Sequence, residues 1–91
     1  MKVKEWFVNK IRPVASKYNI YLDFNYEKDG WVSLSIADIL EETEKAIKVE
    51  INSSIADGSF NNWKTWIPKS VIDIDEKTRN IINEVLAEHI A

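Results

Sequence analysis

The chain has 91 residues, of which 45% are hydrophobic and 30% charged, and its net charge is −3. This length and this balance are typical of one ordinary globular domain, residues 1–91, with a single modest core. Because the sequence has no cysteine, disulfides, thiolate metal sites and cysteine nucleophiles are excluded, and no apolar run approaches the ~20 residues of a membrane span.

The charges are unevenly distributed along the chain. Residues 1–19 contain five basic side chains and one acidic one, a net charge of +4, whereas residues 20–91 sum to −7. This asymmetry indicates either an interaction surface or a basic helix that lies against an acidic sheet in the same molecule. The N-terminus interleaves charged and apolar residues and lacks the apolar segment of a signal peptide, so we expect a cytoplasmic protein.

The first predicted element is a helix from about residue 3 to residue 18. Apolar residues such as Phe7, Ile11 and Ala15 recur at helical spacing, and the basic residues fall mostly on the other face. Pro13 removes one backbone hydrogen bond from a helix interior, so the helix is expected to bend there.

A β-hairpin is predicted next. Apolar and polar residues alternate between Ile20 and Tyr26, which is the periodicity of a strand with one buried face. The sequence "EKDG" is typical of a turn in which Gly30 adopts a positive φ. The return strand is predicted from Trp31 to about Ile36.

Two further strands are predicted after a charged turn, "EETEK", at residues 41–45. The segment "AIKVEI" at 46–51 alternates again, and the polar stretch 52–62 is expected to be a long loop. The segment "WKTWIPKSVI" at 63–72 supplies the fourth strand. Because proline cannot donate to a ladder, Pro68 places this strand at a sheet edge or a bulge.

The last predicted element is a helix from about residue 76 to residue 90. Asp75 is a suitable N-cap, and the apolar residues from Ile81 onward repeat at helical spacing. The predicted fold is α+β: a four-stranded antiparallel sheet, a meander, flanked by an N-terminal and a C-terminal helix. The apolar stripe of the last helix is wide enough to leave surface for a second copy, so a homodimer is a further hypothesis.

Two segments, "TEKAIKVEI" at 43–51 and "WIPKSVI" at 66–72, carry a resemblance. They resemble small proteins of phages and mobile elements, of unknown function, in which a "TEKAI" strand is followed by a "WIPKS" strand. The connection between the two strands is longer in this chain. The resemblance implies a phage or prophage origin and a small β-rich core, and it implies no reaction.

The two tryptophans of the fourth strand are expected to differ in burial. Trp66 and Pro68 share one face, and Ile67 and Lys69 share the other. We expect Trp66 or Ile67 to fill the core. Of the two indoles, we expect one to be buried and the one beside the long loop, Trp63, to stay accessible.

The favoured hypothesis is a non-enzymatic protein-binding module. Exposed tryptophans often anchor interfaces, and acidic groups attract basic partners and can occupy sites meant for phosphate. A small acidic phage protein would in this way bind and inhibit a host protein, for example a CRISPR effector or another defence protein. The predicted contact residues are Trp31, Trp63, Trp66, Lys69, Glu41, Glu42 and Glu44.

The alternative hypothesis is a single-stranded nucleic-acid-binding protein. Bases stack on exposed aromatic rings while lysines follow the backbone. Such a platform would form if its candidate residues shared one sheet face: Trp31, Trp63, Trp66, Tyr21, Lys48, Lys64 and Lys69. The net charge of −7 over residues 20–91 argues against it, because such binding needs uncompensated basic residues.

Enzymatic activity is not expected. Gly30 and Gly58 are the only glycines, which excludes a glycine-rich phosphate loop, and the only histidine, His89, lies near the C-terminus. Acidic pairs such as Asp73 and Asp75 match no known catalytic spacing. We therefore expect no cofactor and no metal ion, and no membrane partner.

Overall fold

The computed structural model describes residues 1–55 and 62–90, with the backbone alone at residue 90, and these residues form eight β-strands, two α-helices and one 3₁₀ turn. The α+β class predicted from the sequence is confirmed. The strands are β1 Lys2–Lys4, β2 Ile20–Leu22, β3 Phe24–Tyr26, β4 Trp31–Leu34, β5 Ile36–Glu42, β6 Ala46–Ile51, β7 Ser53–Ile55 and β8 Trp63–Pro68. The helices are α1 Glu5–Ser16 and α2 Glu76–Ile90, and the 3₁₀ turn is Lys69–Val71.

The N-terminal helix starts later than predicted because residues 2–4 are a strand. In β1, Val3 lies opposite Val32 of β4, and on its other side Val3 forms a bridge with Ile72. These tertiary hydrogen bonds hold the first residues extended and override their helical spacing. Helix α1 then runs without interruption through Pro13.

Three bent segments of the chain meet at a ring of hydrogen bonds. The bends lie at Asp23 between β2 and β3, at Ser35 between β4 and β5, and at Asn52 between β6 and β7. The N–H of Asp23 donates to the Asn52 carbonyl (2.9 Å), that of Asn52 to Ser35 (2.8 Å) and that of Ser35 to Asp23 (3.0 Å). The Asn52 side chain also donates to the Ser35 hydroxyl at 2.9 Å. We name these three residues the strand junction.

The single four-stranded meander predicted from the sequence is wrong. The described residues form three small antiparallel sheets with the strand orders β1–β4–β3, β2–β7 and β5–β6–β8. Each bent segment pairs with different partners on the two sides of its bend: β6 pairs with β5 and β8, whereas β7 pairs with β2. Period-two alternation indicates which residues face the core, but it continues through a bend and does not show where a strand changes partner.

Besides β1, two strands were not predicted. Strand β5 includes Glu41 and Glu42, so the charged turn is reduced to residues 43–45. Register shifts within β5 interrupt its alternation, which is why the sequence pattern misses it. Strand β7 lies at the start of the predicted loop 52–62, and residues 56–61 of that loop lie outside the described residues.

Several local predictions are confirmed. The β3–β4 hairpin turns at residues 27–30, where Gly30 has a φ of 78°. Pro68 ends β8 at the edge of its sheet. Helix α2 spans the predicted residues, and the Asp75 carboxylate accepts a hydrogen bond from the Thr78 N–H at 2.7 Å, as an N-cap does.

One core joins both helices to the sheets. Neither helix of the described chain has the length and apolar character that a bilayer crossing requires. The buried hydrophobic residues are Val3, Phe7, Val8, Ala15, Ile20, Leu22, Val32, Leu34, Ile39, Ile47, Val49, Ile51, Ile67, Val71, Ile72 and Ile82.

Candidate protein-binding surface

The β5–β6–β8 sheet has one buried face and one outward face. Along its central strand, Ile47, Val49 and Ile51 are fully buried, whereas Lys48 and Glu50 point to the opposite side. The buried side holds the sheet to the core, so the outward side is the one that can meet another molecule.

The two tryptophans of β8 lie on opposite faces. Trp66 is 40% exposed, and its neighbour Ile67 fills the core. Trp63, on the same face as Ile67, is half-buried against the core, with its ring centroid 5.9 Å from that of Tyr18. The expectation that Trp63 is the accessible indole is therefore wrong: the four-residue spacing from Ile67 puts Trp63 on the inward face.

The strand register arranges the outward side chains in rows. Glu41 of β5 lies opposite Lys48 of β6, which in turn lies opposite Trp66 of β8. In the next row Glu50 lies opposite Lys64, with the ammonium 3.9 Å from the carboxylate. Side chains directly opposite each other in an antiparallel pair are close enough to interact. We name these five residues the outer face.

Trp31 belongs to another sheet. It lies on β4, is half-buried, and has the Lys4 ammonium 5.1 Å from its ring centroid. The structure thus separates Trp31, Trp63 and Trp66, so the tryptophan platform of the nucleic-acid hypothesis does not form on a single sheet face.

Glu42 and Lys69 are held within the molecule. Glu42 lies opposite the buried Ile47, and its carboxylate is 2.7 Å from Arg79 of α2 and 2.8 Å from the Lys69 ammonium. Hydrogen bonds from Arg79, followed by those from Lys69, lower the pKa of Glu42 to about 2. The same hydrogen bonds, which the Glu42 carboxylate accepts, in turn raise the pKa of Arg79. This group stabilises the position of α2 and leaves Glu42 little capacity for an external partner.

Glu41 and Glu44 remain exposed. Glu41 belongs to the outer face, and Glu44 lies in the turn that Thr43 closes by accepting a hydrogen bond from the Ala46 N–H at 3.1 Å. The predicted acidic group therefore splits into one internal carboxylate and two external ones.

A second contact between α2 and β5 was also not anticipated from the sequence. The Nε2 atom of His89, in the last turn of α2, is 2.9 Å from the Asp38 carboxylate of β5. The two residues are 51 positions apart, and no local pattern links them. Like the Arg79 contact to Glu42, this one attaches α2 to β5.

Within residues 1–55 and 62–90, no three His, Cys, Asp or Glu side chains are grouped in a way that would hold a metal ion. No protein family model, curated protein or solved structure matches the chain.

Proposed function

We propose that this protein is a binding module without chemistry of its own and that it docks on another protein through the outer face. The observation that carries the proposal is the exposed indole of Trp66, aligned across the sheet with Lys48 and Glu41. A large apolar ring at the end of a row of charged side chains is the composition of an interface anchor.

The outer face is well suited to present that anchor. Trp66 lies on a strand that is hydrogen-bonded to β6 along its length, and the neighbouring Ile67 is fixed in the core. Because the backbone beneath the indole is already ordered, binding loses less conformational entropy than it would at a loop. Lys48, itself half-buried, lies directly opposite Trp66 on the neighbouring strand.

The partner has to complement both the ring and the charges. The outer face carries Glu41 and Glu50 together with Lys48 and Lys64, so its charge is mixed. Glu44 lies just beyond the end of β5 and adds negative charge there. The matching surface is an apolar pocket for the indole with a basic rim on the β5 side, where the carboxylates would speed association.

Affinity capture with matched tryptophan variants tests this proposal. Wild-type protein, Trp66→Ala and the control Trp6→Ala are immobilised and exposed to a lysate of cells that carry the gene. Trp6 is 58% exposed on α1, so its removal also deletes an exposed indole but spares the outer face. We expect one partner to be retained by the wild type and by Trp6→Ala, with affinity for Trp66→Ala lower by about thirtyfold or more. Equal capture by all three proteins would refute the docking surface.

The resemblance to phage proteins adds the hypothesis that the partner is a host protein and that binding inhibits it. Inhibition of a CRISPR effector or another defence protein stays a prediction from the sequence, as do the cytoplasmic location and the homodimer. The captured partner, once purified, can be assayed with and without this protein. Sedimentation at micromolar concentration that shows only the 10.6 kDa monomer would exclude the homodimer.

A further inference from the structure

A second surface lies apart from the outer face, between α1 and the bent segment formed by β2 and β3. A groove of about 300 Å³ opens there, which is the lower end of the size range of ligand sites. Its floor is apolar, and its rim carries side chains with hydrogen-bond donors. We name it the α1 groove; the residues that matter here are Asn9, Arg12, Ser16, Tyr21, Leu22 and Phe24.

The guanidinium of Arg12 is held at the rim without an acidic partner. Its carbon lies 4.9 Å from the centroid of the Phe24 ring, and its Nη1 is 3.5 Å from the hydroxyl of Tyr26. Among the described residues no carboxylate comes within 4.0 Å of it. Stacking on an aromatic ring orients the planar group and leaves most of its N–H donors available to an anion.

Exposed aromatic rings flank this cation. Tyr21 is 52% exposed and Tyr26 60% exposed, and the Tyr26 ring makes an edge contact with Phe24 at 5.4 Å. Of the three aromatic side chains along β2 and β3, Phe24 and Tyr26 contact the guanidinium, and Tyr21 lines the same groove as Arg12. Flat rings next to a fixed positive charge provide the two contacts that a nucleotide uses, stacking for the base and an ion pair for the phosphate.

The charge of α1 complements an anionic strand. Lys10 is exposed on the helix that carries Arg12, and Lys17 is exposed directly after the end of that helix. Residues 1–19 together have a net charge of +4 in a chain whose total is −3. Cations grouped on one segment attract anions locally even in a molecule whose net charge is negative.

We propose that the α1 groove binds a short stretch of single-stranded nucleic acid, with a phosphate on Arg12 and bases stacked on Tyr21 and Tyr26. An acidic peptide would also satisfy Arg12, but it would gain little from two exposed phenol rings on a bent strand. Asn9 and Ser16 are exposed on the same side of α1 and supply hydrogen bonds to sugar or base edges. This site shares no residue with the outer face, so either proposal can fail while the other stands.

The test is the fluorescence anisotropy of a labelled oligothymidine of about ten nucleotides at about 50 mM salt. Tyr21→Ala is expected to weaken binding by about tenfold, and Tyr21→Phe, which keeps the ring, by less than about twofold. Arg12→Gln is expected to weaken binding by about tenfold as well. Lys45→Gln makes the same change in charge at the exposed turn between β5 and β6 and should leave binding within about twofold.

The salt dependence of binding and competition by a polyanion provide further tests of the proposal. With two or three phosphates neutralised, affinity should fall between about sevenfold and about twentyfold from about 50 mM to about 200 mM salt. Absence of binding at the lower salt, or equal weakening in Lys45→Gln and Arg12→Gln, would overturn the proposal. So would displacement by polyglutamate together with indifference to Tyr21→Ala, which would indicate an acidic peptide. Far-UV circular dichroism confirms that each variant is folded.

Discussion

Both carboxylate oxygens of Glu42 accept a hydrogen bond from Arg79, each at 2.7 Å. This paired contact joins the end of β5 to the first turns of α2, and Lys69 adds a third cation-to-carboxylate contact at 2.8 Å. The Glu42 side chain is only 18% exposed, so the group lies between a surface ion pair and a buried one. This bidentate geometry makes the Arg79–Glu42 ion pair stronger than one formed by a single hydrogen bond.

Glu42→Gln is predicted to destabilise the protein. The amide keeps one acceptor oxygen, but it removes the negative charge and replaces the other oxygen by an NH₂ group that cannot accept from Arg79 or Lys69. The expected cost is about 1–3 kcal/mol, between the values for exposed and buried ion pairs. Urea unfolding followed by circular dichroism measures this free energy. Glu44→Gln is the matched control because Glu44 is exposed in the adjacent turn, and it should change stability by less than about 0.5 kcal/mol. Equal losses in the two variants would contradict the assigned role of Glu42.

The same carboxylate predicts a pH dependence of stability. The pKa of Glu42 falls from 4.5 to about 2 in the folded protein, so the folded state takes up this proton less readily than the unfolded state. Its contribution to the free energy of unfolding is therefore complete above about pH 5 and is lost as the pH falls toward about 2. Wild-type protein should lose more stability over this interval than Glu42→Gln. Parallel curves for the two proteins, measured by urea unfolding at each pH, would show that Glu42 does not have this role.

The four tryptophans are predicted to differ in accessibility. In single-tryptophan variants, acrylamide should quench Trp6 and Trp66 more strongly than the half-buried Trp31 and Trp63. Because Trp63 packs against the core, Trp63→Ala should cost about 2–4 kcal/mol, whereas Trp66→Ala should cost less than about 1 kcal/mol. Strong quenching of Trp63 would mean that β8 has the opposite face inward.

The strand junction is predicted to behave as one unit. Ser35→Ala and Asn52→Ala each remove one partner of the 2.9 Å side-chain bond and should each cost about 1 kcal/mol. Since both variants break the same bond, the double variant should cost less than the sum of the two by at least about 0.5 kcal/mol. Asn25→Ala, on the exposed side of β3, provides the control. If the two losses in the free energy of unfolding were strictly additive, Ser35 and Asn52 would not be coupled.

The sequence predicts the elements whose signals are local. Asp75 caps α2 through an N–H three residues away, and Gly30 sets its turn through its own backbone, so both follow from short stretches of sequence. The alternation in β6 likewise identifies its buried face, because Ile47, Val49 and Ile51 occupy every second position.

The features that the sequence does not reveal depend on distant partners. Val3 becomes a strand residue only because β4 and residue 72 lie on either side of it. The internal role of Glu42 depends on Arg79, which is 37 positions away in the chain. The same distinction applies to the candidate surfaces. The outward position of Trp66 follows from the alternation of side chains along its own strand. The contact of Arg12 with Phe24 depends on how α1 packs against β3, which the hairpin predicted from the sequence does not show.

The strand junction also limits how the length of this chain can change. In each bent segment, one partner strand fixes which side chains face the core before the bend, and another partner fixes this after the bend. Inserting or deleting one residue near Ser35 would therefore move the side chains of one half to the opposite face of its sheet. Variants that survive selection should therefore differ in these segments by substitution alone. Gains and losses of residues should be confined to connections such as 27–30 and 43–45, where an extra residue does not shift any ladder.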